Sequence, residues 1–302
     1  AAIVGNVGPL IQQTDRQAYQ DRSVPLPGRL FSHNDQQSTW MASAPEGARF
    51  GWGGRFADAA IASGANTSPI FSAISAAGNE VFLVGDQARQ YQVGSGGALN
   101  IDYLTRRNYL GSGRNSDEAR RLLEEHFRAT GLRPANLFEQ DAINVTRRAV
   151  DANAQYNQAL ESSLGLTTTF PDSSLGRQLS TVAETIAIRD SLGARRQVFF
   201  VATGGFDTHD GQAGKLPGLH GNIAGSAAAF YAAMEELGVQ NDVVLFTASD
   251  FGRTLRVNGD GTDHGWGSHH FVIGGAVNGQ TIYGDMPPST FDHSQDAGRG
   301  RL

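Results

Sequence analysis

The chain of 302 residues contains no cysteine. Disulfides are therefore excluded, as is any zinc site built on thiolates. A bound zinc would have to use imidazole and carboxylate. Lysine is nearly absent as well: Lys215 stands alone, and the other basic residues are arginines. The formal net charge is −6 and no basic run stands out. The clustered cations that nucleic-acid phosphates call for are missing, so no nucleic-acid partner is expected. No apolar stretch reaches the roughly 20 residues that a membrane-spanning helix needs. No internal repeat or low-complexity tract is present, and no signal peptide is visible. The chain opens inside an apolar run, Ala2-Ile3-Val4-Gly5, without an initiator methionine. A processed or truncated form is expected, with one α/β domain over 1–302.

Glycine is abundant, and it gathers where polar residues follow apolar runs. Residues 1–5 read as a short strand, and Glu80–Gly85 as a buried one that stops at glycine. Asn115 with Glu118 three residues later forms a capping box. A helix follows it on Ala119, Leu122, Leu123, His126 and Phe127, up to Gly131. Further helices are expected over about 136–163 and 176–192. Together, 111–195 reads as a helical insertion or cap. The run QVFFVAT (197–203), an apolar helical stripe from Ile223 to Leu237, and the run DVVLFTA (242–248) make a βαβ unit. The expected fold is a mostly parallel sheet flanked by helices.

The chemistry-bearing residues lie just beyond those runs. QVFFVAT leads into Gly204-Gly205-Phe206-Asp207-Thr208-His209, and DVVLFTA into Ser249-Asp250-Phe251-Gly252-Arg253. Asp263-His264-Gly265 and Ser268-His269-His270 follow. Open α/β sheets place their sites at the carboxyl ends of strands, and Asp and His are ligands for divalent cations. Asp207, His209, Asp250, Asp263, His264 and, more weakly, His269 are the candidate metal ligands. Asp207 could instead cap the following helix, and His264 could sit on a surface turn. Arg253 has the planar fork that holds an anionic oxygen, or it pairs with Asp250. Ser32, beside His33, is a candidate nucleophile or a turn former. His126, His220 and His293 have helix or tail contexts without a ligand signal.

Several blocks carry a family resemblance. LFSHNDQQSTW (30–40), GWGGRFAD (51–58), GGFDTH (204–209), TASDFGRT (247–254) and GTDHGWGSHHFVIGGAV (261–277) resemble the DUF1501 family, in the right order and over almost the whole chain. That resemblance implies kinship with the alkaline phosphatase and sulfatase-like superfamily. It also implies export to the periplasm or cell surface. The superfamily hydrolyses phosphate or sulfate esters with divalent cations and a Ser or Thr nucleophile. By matching position, Asp207 and His209 resemble one ligand pair and His264 the last ligand histidine. Phe251 stands where an Asp-His pair would place its histidine. The expected activity is metal-dependent hydrolysis of a small anionic ester or a sulfated or phosphorylated glycan. Zinc is favoured if histidines dominate, and calcium, magnesium or manganese if carboxylates do. The alternatives are a non-catalytic polysaccharide- or partner-binding protein and, third, a Ser32-dependent acyl esterase. The last lacks a Gly-x-Ser-x-Gly elbow.

Overall fold

A computed structural model of the chain describes residues 1–95, 97–98, 117–119, 121–122, 125 and 136–302. The capping box at Asn115 and most of the helix read after it, including His126, lie outside these residues. The described part is mixed α/β. One sheet has the order β10-β1-β9-β6, with β1 at Ala2–Val7, β6 at Leu245–Phe246, β9 at Ser268–Ile273 and β10 at Ile282–Tyr283. A second has the order β4-β3-β2-β5, with β2 at Ala73–Ser75, β3 at Tyr91–Gly94, β4 at Gly97–Ala98 and β5 at Val198–Phe200. β7 (Arg253–Asn258) and β8 (Gly261–His264) form a separate hairpin.

The sheets are mixed rather than mostly parallel. β2 runs parallel to β3 and β5, and β1 parallel to β10. β9, however, is antiparallel to both β1 and β6. Between β6 and β9 the chain carries only the β7–β8 hairpin and no crossover helix, which suits an antiparallel return. Glu80–Gly85 also differs from its expected strand: Val81–Leu83 is a single 3-10 turn. Its apolar residues are buried there by packing rather than by strand pairing, with Phe82 and Leu83 in a cluster with Ala57, Ala73 and Ala88.

After α1 (Arg16–Asp21), the stretch 21–58, which reads as loop-rich from Pro25, Pro27, Gly28 and Pro45, carries two helices instead, α2 (His33–Ala42) and α3 (Trp52–Ala62). The longer helices further along overlap the periodic stretches. α4 (Leu137–Glu161) starts at Asn136, whose side chain accepts from the Glu139 N–H. It lays Tyr156 and Ala152 onto a cluster with Phe71, Ile74 and Tyr91 beneath the second sheet. α5 (Ser174–Ala187) is capped by Ser173, which accepts from the Gly176 N–H. Its Leu179, Val182 and Ile186 pack against Phe230, Ala233 and Met234 of α6 (Gln212–Glu236). Burying each large side chain there contributes about 2 kcal/mol. Both α4 and α5 therefore cover sheet and helix faces. Among the described residues, no helix is long and apolar enough to cross a membrane.

Candidate metal centre

Three segments far apart in sequence bring the site together. β5 ends at Phe200, and the chain then turns through Gly205, whose φ of +96° is a conformation that side chains disfavour. The turn after it is tight: His209 N–H donates to the Asp207 carbonyl at 3.1 Å. β8 clamps this loop from outside through Thr262 N–H, which donates to the Thr208 carbonyl at 3.2 Å. In the hairpin register, Arg253 lies opposite His264. The third segment is the start of α2 (His33–Ala42), where Ser32 is the N-cap and His33 the first helical residue.

The Asp207 carboxylate is the hub. His264 Nε2 lies 3.0 Å from Oδ1, His209 Nε2 lies 2.9 Å from the same oxygen, and His33 Nε2 lies 3.3 Å from Oδ2. Arg253 reaches Oδ1 at 2.5 Å. Ligand atoms of His33, Asp207 and His264 all lie within 4.8 Å of one another, a spacing that could hold a metal ion.

The outward nitrogens fix the tautomers. His264 Nδ1 is 2.8 Å from the Phe31 carbonyl. A carbonyl only accepts, so Nδ1 carries the proton. His33 Nδ1 is 2.5 Å from Asp250 Oδ2 and donates to it. In each neutral ring the lone pair therefore sits on Nε2 and faces the Asp207 carboxylate. Lone pair facing carboxylate is repulsive unless a proton or a cation lies between them. Imidazoles oriented in this way by an outer acceptor are the usual form of metal-ligating histidine. Phe251 packs on both rings, at 4.7 Å from His33 and 4.3 Å from His264, and holds their orientation.

The other predicted residues take different places. Asp250 stands behind His33 and also accepts from its own Ser249 hydroxyl at 3.1 Å. Asp263 accepts from Asn258 at 2.9 Å and pairs with Arg299 at 2.6 Å, with His209 Nδ1 at 4.0 Å. Arg253 donates to the Thr262 hydroxyl and carbonyl as well as to Asp207. It sits beside Asp207 rather than Asp250. The Ser32 hydroxyl donates to buried Asp35 at 2.9 Å. His269 is exposed on β9, where its Nδ1 accepts from the Asn6 N–H at 3.0 Å, and makes no contact with the cluster among the described residues. His33 is the residue that sequence reasoning named only as a neighbour of Ser32. Its signal was a histidine opening a helix after a loop.

The charges follow from this packing. Burial alone would raise Asp207, but hydrogen bonds from Arg253 and His264 and the charges of His209 and His264 hold it at about 2. For His33 burial acts downward, yet the Asp250 hydrogen bond and the charges of Asp250 and Asp207 carry it above its ordinary value of 6.5. A raised histidine stabilises the fold below its unfolded pKa, and that contribution is lost as pH rises through the folded one. Chelator-treated protein is therefore expected to lose melting temperature as pH rises above about 6.5. The loss should be smaller in Asp250→Asn. A melting temperature that climbs over this range in the parent chain contradicts the assignment. The depressed Asp207 acts at the other end: its contribution is present above about pH 4 and lost as pH falls toward 2. Both groups are partly exposed, so each effect is damped by solvent.

The site thus defines an α/β protein with an acid–histidine cluster beyond the carboxyl ends of two strands. The chain belongs to the DUF1501 family, proteins of unknown function, whose pattern matches residues 7–298. No curated protein and no solved structure matches it.

Proposed function

We propose that the chain is a metal-dependent hydrolase of phosphate or sulfate esters, with a divalent cation held by His33, Asp207 and His264 and with His209 beside them. The reading rests on one observation: two imidazoles, each held by an outer acceptor at Nδ1, turn their Nε2 lone pairs toward one carboxylate. Imidazole nitrogens with a single carboxylate favour zinc over calcium, magnesium or manganese. When bound, such an ion polarises an ester oxygen and stabilises the attacking group. Kinship with the alkaline phosphatase and sulfatase-like superfamily, and export from the cytoplasm, belong to the same proposal. The position of Asp207 and Asp250 just beyond β5 and β6 supports that kinship.

The chain's own residues divide the work. Asp250 orients His33, and Phe31 orients His264. Ser32 is the candidate nucleophile, and Asp35 is in place to accept its proton. Arg253 steadies Asp207 and supplies positive charge at the rim, where an anionic ester would arrive. The substrate class is a small anionic ester or a sulfated or phosphorylated glycan. The test is turnover of aryl phosphates and aryl sulfates by chelated protein reloaded with each cation. Activity that returns with a cation supports the proposal. No turnover and no melting shift with any of the four cations contradicts it.

Replacing Asp250 tests the orienting role. Asp250→Ala is expected to weaken zinc binding by about 10–100-fold. Asp250→Asn, which keeps an acceptor oxygen, should lose less. Calorimetric titration measures both, and an unchanged affinity in Asp250→Ala removes Asp250 from the site.

A second reading has its own support. The Arg253 guanidinium and the Ser32 hydroxyl both already have partners within the chain. A binding protein for a polysaccharide or protein partner, with a vestigial site, fits that engagement. Cation binding without turnover, together with glycan binding, selects this reading.

A further inference from the structure

The runs QVFFVAT and DVVLFTA are continuously apolar in the way that strands at the centre of a sheet are. The structure nevertheless places both at sheet edges. Among the described residues, β5 pairs only with β2, and β6 pairs only with β9. The ladder bonds show which way the backbone faces. Val198 N–H donates to the Ser72 carbonyl at 2.9 Å, and the Phe200 carbonyl accepts from Ala76 N–H at 3.0 Å. Val198 and Phe200 therefore face β2, and the alternation of a strand turns the peptide groups of Phe199 and Val201 the other way. Thr247 N–H donates to the Phe271 carbonyl at 3.0 Å, so Val244 and Phe246 likewise face away from β9. Among the described residues, the backbone groups of these four make no hydrogen bond. Val244 is 53% and Phe246 44% exposed, a large apolar exposure for such a strand.

These open edges belong to one layer. Phe199 and Val201 of the β5 run and Val243 and Leu245 of the β6 run pack against the same α5–α6 cluster. On the other side, Trp52 contacts both Phe246 and Phe82, and Phe82 contacts Phe200. The carboxyl ends converge as well: Asp207, after β5, and Asp250, after β6, both touch the His33 ring. The strands therefore run in the same direction in a common layer, yet they do not pair. Each of the two strands thus turns an unpaired edge toward the interval between them.

We propose that a single extended segment of polypeptide, apolar on both faces, inserts as a strand between β5 and β6 and joins the two sheets into one. The occupant is a free segment rather than a second copy of the fold. A folded sheet edge has one open side, whereas this slot presents unpaired donors and acceptors on both. Strand addition of this kind uses main-chain hydrogen bonds for affinity and side-chain pockets for selection. It also covers an edge that would otherwise invite aggregation. One end of the inserted strand would open beside Asp207 and Asp250, so whatever follows it reaches the acid–histidine cluster. The proposal does not depend on the cation.

The probe is a fluorescein-labelled peptide of alternating valine and isoleucine flanked by lysines, with a control carrying a central proline. In the chain alone, the amides of Phe199, Val201, Val244 and Phe246 should exchange rapidly. The peptide is expected to bind and to slow all four by about tenfold or more, and the control should do neither. Phe246→Lys, which leaves both ladders intact, should weaken peptide binding. Slow exchange of these amides in the chain alone, or no protection by the peptide, overturns the proposal. So does protection that instead follows protein concentration with a dimer mass in sedimentation.

Discussion

Asp207→Asn is expected to weaken binding of a divalent cation by roughly 100-fold or more and to remove cation-dependent ester hydrolysis. The size of the effect comes from the position of this carboxylate. Three imidazoles and one guanidinium converge on it. Removing its charge takes away a ligand and also the group against which His33 and His264 are aimed. Asparagine has nearly the same shape, so the fold should persist. Arg253 keeps its two bonds to Thr262, which hold it in place when the Asp207 charge is gone. The expected pattern is a chelated melting temperature lowered only by the solvent-damped ion pairs of Asp207, with the rise on adding zinc lost. A parent-like zinc affinity in Asp207→Asn by calorimetry means that the hub lies elsewhere.

Gly261→Ala is expected to cost about 1–3 kcal/mol of stability and to disturb cation binding as well. A Cβ at 261 would fall on the carbonyl carbon and oxygen of His209 and close to the Asp210 amide. Those atoms are backbone, so no side chain can swing aside to make room. Either the β7–β8 hairpin or the Asp207–His209 loop must move. Thr262 N–H ties the two together through the Thr208 carbonyl, and Arg253 and His264 both come from the hairpin. Movement of either therefore misplaces ligands. Thermal melts and zinc titration read the two consequences separately. A variant with parent-like stability and affinity shows that the hairpin and loop are not tightly coupled.

Much of the site was legible in the sequence, because a polar residue just after an apolar run marks a strand end. Asp207, His209 and Asp250 carry that mark; His264 lacks it and is singled out by its Asp263-His264-Gly265 pattern beside those acids, and all four fall in or against the cluster. What the pattern does not give is depth. Asp250 and Asp263 have the same residue type as Asp207, yet His33 and the pair Asn258–Arg299 take up their oxygens. Only three-dimensional neighbours separate the carboxylate at the centre of the histidine cluster from one that steadies a histidine from behind. His33 was harder still. It lies 217 positions from Asp250, and its local sequence reads as a turn.

The fold divides in the same way. α4 and α5 lie close to the bounds that their periodicity gives, whereas α6 starts at Gln212, well before the stripe that opens at Ile223. The antiparallel direction of β9 was not legible, because strand direction depends on which neighbour the chain returns to. The β7–β8 hairpin had a signal in Asn258-Gly259, a pair suited to tight turns. Val81–Leu83 shows the remaining ambiguity, since a short apolar run bounded by glycine suits a buried turn as well as a strand.

The most direct test is an anomalous difference map from a crystal grown with zinc. The account predicts a strong peak between His33 Nε2, the Asp207 carboxylate and His264 Nε2, with Asp250 one shell further out. A map with no peak there, or with zinc seated only on other side chains, contradicts it.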